Sequence, residues 1–182
     1  MEIGKTLRPT NRKQWRNWLL KNHKREKEIW LVFYNKDSGK THVPYIKALD
    51  EALCFGWIDS TVKKFDTDSR AQRFTPRRPN SPMSEMNKEK VRRLIKEGRM
   101  AAAGLTAAGD LSTTELKIPT IILKELKKDK EVWKNFQSFP QHYKRIRISW
   151  IAGAKSRRDT FKQRLNYFLK MTKKGKKYGM EQ

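Results

Sequence analysis

What most constrains this chain is where its hydrophobic period changes. Between residues 29 and 75 apolar side chains run continuously or alternate in three segments, as strands require, with Ile46, Leu49 and Leu53 at helical spacing up to Gly56 between the first two, whereas on either side they recur every three to four residues, as helices require. The run Ile29-Trp30-Leu31-Val32-Phe33-Tyr34 reads as a buried strand ended by the turn Asp37-Ser38-Gly39. The segments from Gly56 to Val62 and from Ala71 to Thr75 each alternate, with Phe65-Asp66-Thr67-Asp68-Ser69 between them, which predicts a hairpin. Before this region, Asn11 and Gln14 have capping-box spacing, and Trp15, Trp18 and Leu19 follow at helical intervals, so a helix is predicted over 11–22.

From 110 to 118 the pattern lapses into a linker-like stretch, and beyond it the period is purely helical: helices are predicted over 119–127 and 129–136, from Pro140 through Tyr143, Ile146 and Trp150, and from Asp159 through Phe161, Leu165 and Phe168. The predicted fold is therefore α+β, a small antiparallel sheet packed with helices (residues 1–112) followed by an all-helical, basic C-terminal module (residues 113–182). Trp15, Trp18, Trp30, Phe33, Leu49, Leu53, Leu94 and Ile95 are the expected N-terminal core, and the lysine-rich end after 173 is expected to be mobile.

Charge narrows the partners. The chain carries 43 Lys and Arg against 19 Asp and Glu, a net charge of +24, and residues 140–182 hold 13 basic side chains against 2 acidic ones. A field of that sign concentrates anions, whether a small anionic molecule or a polyanion such as nucleic acid. In the C-terminal module Arg145, Arg147, Lys155, Arg157, Arg158 and Arg164 are the candidate nucleic-acid contacts. No phosphate-cradling or dinucleotide-binding glycine motif and no Cys-x-x-Cys occurs, so no cofactor is expected. His23, His42 and His142 lack ligand spacing to one another, so no metal is expected, and Asp66 and Asp68 read as turn residues. The single cysteine, Cys54, excludes an intrachain disulfide and reads as a small core residue. Met1–Thr6 has no apolar signal core and no window is long enough to span a membrane, which predicts a cytoplasmic protein.

The segment with most chemistry runs from Arg73 to Asn87. Arg73, Arg77, Arg78, Ser81, Ser84 and Asn87 lie on a strand exit stiffened by Pro76, Pro79 and Pro82, which leads into a predicted helix start. Guanidinium forks and free helix N–H groups both bind oxyanions, so these six residues are the candidate anion site. Trp57 and Asp59 are expected to face the same pocket, with Asp59 the candidate general base.

Gly56-Trp57-Ile58-Asp59 and the Arg73–Asn87 segment together resemble the YdeI/OmpD-associated family of bacteriocin-protection proteins, with an OmdA-type C-terminal region. Ala48–Phe55, Leu94–Met100 and Trp150–Lys155 also look like family blocks, while Met83 stands where the family usually carries Trp. The resemblance implies a non-enzymatic, stress-protective protein that binds an anionic ligand. Two alternatives stand beside it: an enzyme acting on a small phosphorylated or carboxylated substrate with Asp59 as base, and a non-specific nucleic-acid binder working through the basic C-terminal helices.

Overall fold

The structure, a computed structural model, describes residues 2–112 and 115–179. The described residues form four strands and eight α-helices, divided between two compact units: residues 1–83 with 90–111, and residues 84–89 with 112–182. Thr113 and Thr114, beside the expected 112/113 boundary, lie outside the described residues.

In the first unit, β1 (Thr6–Leu7), β2 (Ile29–Tyr34), β3 (Trp57–Lys64) and β4 (Ser69–Pro76) form one sheet in the order β1-β2-β4-β3. β2 and β4 pair antiparallel with Trp30 opposite Arg73, and β3 and β4 form the predicted hairpin with Asp59 opposite Phe74. The sheet is mixed rather than antiparallel, because β1 pairs parallel with β2, Thr6 opposite Trp30. Two residues are too few to show any period, so this strand is recruited by the partner edge and not by its own sequence. At the hairpin tip Asp66 Oδ1 accepts from Asp68 N (2.9 Å) and from Ser69 Oγ (2.7 Å), the expected turn chemistry.

One face of this sheet is covered by helices α1 (Arg12–Asn22) and α2 (Tyr45–Cys54), whose apolar stripes meet Ile29, Leu31, Phe33, Trp57 and Phe74. Asn11 caps α1 by accepting from Gln14 N (3.0 Å), while Gln14 Oε1 reaches back to Thr10 N (2.8 Å). We expect Asn11→Ala to cost about 0.5–2 kcal/mol, read as a lower urea midpoint; an unchanged midpoint would show that packing alone holds the helix. α3 (Glu85–Lys96) contributes Val91 and Leu94 to this core, and α4 (Ala102–Ala108) follows.

Three expected core residues are placed differently. Trp18 is only partly buried, at the edge of the cluster, and Ile95 is 44% exposed, because Val91 and Leu94 already define the inward stripe of α3. Trp30 is fully buried but stands on the opposite sheet face from Leu31, as strand alternation demands, with Glu28 and Gly4 against it.

The second unit is helical: α5 (Thr120–Lys127), α6 (Lys130–Ser138), α7 (Gln141–Ala152) and α8 (Arg158–Lys173) enclose Ile122, Leu126, Phe136, Tyr143, Ile151, Leu165 and Phe168. Asp129 caps α6 through the N–H groups of Glu131 and Val132. The chain after α8 is held rather than loose as far as Gly179: Tyr178 N donates to Tyr143 Oη (3.2 Å) and its ring meets Tyr167 and Phe168. Among the described residues no helix is long and apolar enough to cross a membrane.

Candidate functional site

The arginine-rich exit of β4 is shaped by its backbone. Arg77 N donates to Gly56 O (2.9 Å), extending the hairpin pairing one residue past the strand end and setting Arg77 beside the Gly56–Asp59 box. Beyond it the chain turns tightly: Ser81 N and Ser81 Oγ both donate to Arg78 O (3.2 and 2.9 Å), with Asn80 at φ 59°. Asn tolerates this left-handed conformation better than most residues. The Arg77 guanidinium closes the turn by donating from Nη2 to Ser81 O (2.7 Å), while its buried Nε has no hydrogen-bond partner. No carboxylate meets Arg77 among the described residues, and burial without a counter-charge lowers its pKa. Arg93 shows the opposite, its pKa raised by the hydrogen bond it donates to the Asp50 carboxylate. Arg78 is exposed beside it.

Arg73 is not part of this arrangement. Opposite Trp30 in the ladder, it lies on the other sheet face from Phe74 and Asp59, and its Nε donates to Glu28 Oε2 (2.9 Å), which holds the Glu28 carboxyl below its ordinary pKa. Its fork is occupied by a carboxylate of the protein itself. Asp59 stands on the helix-covered face, where Oδ2 accepts from Tyr45 Oη (2.6 Å). Burial, with the Asp59 carboxylate beside it, pushes the Tyr45 phenol well above its ordinary range, so Tyr45 remains a donor at neutral pH. Trp57, expected to line a pocket, is instead a core side chain, edge-on to Trp18 and donating from Nε1 to His23 O (3.2 Å). Ser84 and Asn87 belong to the second unit, at the head of α3, where Ser84 Oγ accepts from Asn87 N (3.3 Å) as a helix cap.

One constellation went unread in the sequence. Asp50 and Glu51, adjacent on α2, are both fully buried. Glu51 accepts from Arg12, Arg16 (2.6 Å) and Arg99, and Asp50 from Arg93 (2.7 Å), with Lys90 Nζ at 3.7 Å. The available signal was two acids set within the apolar run from Leu49 to Phe55, since buried carboxylates require cations. Cys54 is buried beside this network, and burial pushes its thiol pKa up, which suits a core residue and not a nucleophile. Among the described residues no three His, Cys, Asp or Glu side chains gather as a metal site.

In the second unit the six basic candidates divide. Arg145 is paired with Glu89 (Nε to Oε1 3.1 Å), Arg147 is buried over the rings of Tyr143 and Tyr178, and Arg164 lies 4.1 Å over the Trp150 ring and donates to Trp150 O. Lys155, Arg157 and Arg158 are exposed. Half of the expected phosphate contacts are thus consumed by packing.

Two family models match successive parts of this chain. Residues 115–175 match the family described as "Bacteriocin-protection, YdeI or OmpD-Associated". Over that C-terminal region the chain is similar to YdeI/OmpD-associated proteins. Residues 7–107 match "Domain of unknown function (DUF8412)", and across that larger part the chain belongs to that family. The Gly56–Asp59 box and the whole of the arginine-rich segment fall within the DUF8412 match, so the YdeI/OmpD-associated match itself rests on α5 to α8. No curated protein and no solved structure matches the chain.

Proposed function

We propose that this protein is a non-enzymatic, protective binding protein of the YdeI/OmpD-associated type, and that its N-terminal unit takes a small anion at Arg77 and Arg78. The family description supports protection, and one observation carries the ligand class. Arg77 is a partly desolvated guanidinium with a buried, unpartnered Nε and no carboxylate of its own, in a chain where Arg12, Arg16, Arg73, Arg93 and Arg99 all have one. An arginine left in that condition gains most from an external oxyanion, which supplies the missing charge and accepts from the fork. Arg78, exposed on the same turn, adds a second charge. Asp59, committed to Tyr45, has no histidine or lysine partner among the described residues with which to share a proton, so no reaction enters the proposal.

The test is a thermal-shift titration with phosphate, pyrophosphate and citrate. The wild type should be stabilised in proportion to the logarithm of ligand concentration. Arg77→Ala should lose that shift while its own stability falls by only about 1 kcal/mol, the worth of the hydrogen bond to Ser81 O. A ligand shift that survives Arg77→Ala, or a variant that does not fold, would make Arg77 a clasp of the turn and remove the anion site.

A further inference from the structure

We propose that a groove on the C-terminal unit, between α5 and α8, binds a single-chain amphiphile with an anionic head. The groove has a volume of about 700 Å³ and is lined by Ile121 and Glu125 of α5, by Lys155, and by Arg158, Phe161, Lys162, Leu165 and Asn166 of α8. That volume lies within the roughly 300–1,000 Å³ typical of small-ligand sites.

Two stripes make the chemistry. Arg158 and Lys162 are four residues apart on α8, as are Phe161 and Leu165, so a charged row runs beside an apolar one along the same helix. Ile121 faces the groove while 52% exposed, an aliphatic side chain that the unit's own core leaves uncovered. Lys155, Arg158 and Lys162 have no carboxylate partner among the described residues, unlike Arg145 with Glu89 or Lys173 with Asp129 nearby in the same unit. The groove's one acid, Glu125, is engaged by Lys128 Nζ (2.7 Å), and Asp159 on the first turn of α8 does not line it. Three unpaired cations beside an apolar floor fit a ligand whose head is anionic and whose body is hydrocarbon. A purely ionic ligand would leave the floor wet, and a neutral one would leave the cations without partners. The first turns of α8 add a favourable dipole for the head. None of these residues belongs to the Arg77 turn, so this inference is independent of the site proposed above.

The experiment is calorimetric titration of the full chain with dodecyl phosphate below its micellar concentration, with inorganic phosphate and dodecyl maltoside as controls. We expect one dodecyl phosphate per chain, bound at least about tenfold more tightly than either control. Arg158→Glu combined with Lys162→Glu should weaken it by a further factor of about ten or more, and Ile121→Ser should weaken it while leaving the response to inorganic phosphate unchanged. Lys155→Glu, outside any helix, repeats the charge test if the double variant misfolds. The titration is repeated with Arg77→Ala, so that phosphate heads taken up at the Arg77 turn are separated from binding in the groove. Equal affinity of the charge variants and wild type, inorganic phosphate as tight as dodecyl phosphate, dodecyl maltoside as tight, or an acidic amphipathic peptide binding where dodecyl phosphate does not, would each overturn the proposal.

Discussion

Replacing Glu51 with alanine should destabilise the N-terminal unit by about 3–5 kcal/mol, the usual result of removing one side of a buried ion pair. Glu51 is fully buried on α2, and three guanidiniums, from Arg12, Arg16 and Arg99, meet on its carboxylate. Without it, those three positive charges remain close together, with Asp50 the one acid left on that stretch of α2 and already engaged by Arg93. Arg99→Ala should cost less, because Glu51 keeps Arg12 and Arg16. Urea denaturation followed by tryptophan fluorescence reports the effect, since Trp15, Trp18 and Trp57 all lie in or against this core. If Glu51→Ala and Arg99→Ala were equally mild, the network would be a solvated surface feature and its burial would have no energetic meaning.

Gly104→Ala is the second large effect, and its sign discriminates between two physical accounts. In an exposed helix, replacing glycine with alanine gains about 1 kcal/mol. At this position of α4 a Cβ would stand 2.1 Å from Cys54 O and 2.9 Å from Leu53 O, backbone atoms at the end of α2 that cannot swing aside. The same contact is made from the other side by Gly56, at φ +75°, whose Cβ would meet Ala103 O at 2.8 Å. Ala101 N donates to Cys54 O (2.9 Å), so the approach is pinned by a hydrogen bond as well. Gly104→Ala should therefore destabilise by about 3 kcal/mol, toward the upper end for overpacking, and shift the urea midpoint down. A midpoint that rises would show that helix propensity governs α4 and that its packing on α2 is loose.

Much of the candidate chemistry was visible as residue types and not as geometry. The sequence marks Arg73 and Arg77 as two arginines on one strand exit, but Arg73 faces Glu28, 45 residues away along the chain, whereas Arg77 closes its own turn through Ser81, four residues on. The second arrangement is local, and the prolines and Asn80 hint at it. The first needs the β2–β4 register, which the strand pattern alone leaves open. In the C-terminal unit the same holds: Arg147 and Arg158 are indistinguishable as letters in a basic helix, yet Arg147 is buried against three aromatic rings and Arg158 is exposed in a groove.

By itself the sequence determined what short-range forces decide: the strand run from Ile29 to Tyr34, the hairpin with its Asp66 turn, the Asn11 cap and the helical period after residue 119. These follow from side-chain spacing and bonds spanning a few residues, which are the same in any context. Only the tertiary structure decided that β1 joins the sheet in parallel, that Gly104 packs directly against the backbone at the end of α2, and that Asp50 and Glu51 are buried with partners 39, 43 and 48 residues away. Each of these depends on which distant atoms fill the space beside a residue, and a pattern of neighbours in sequence carries no record of that.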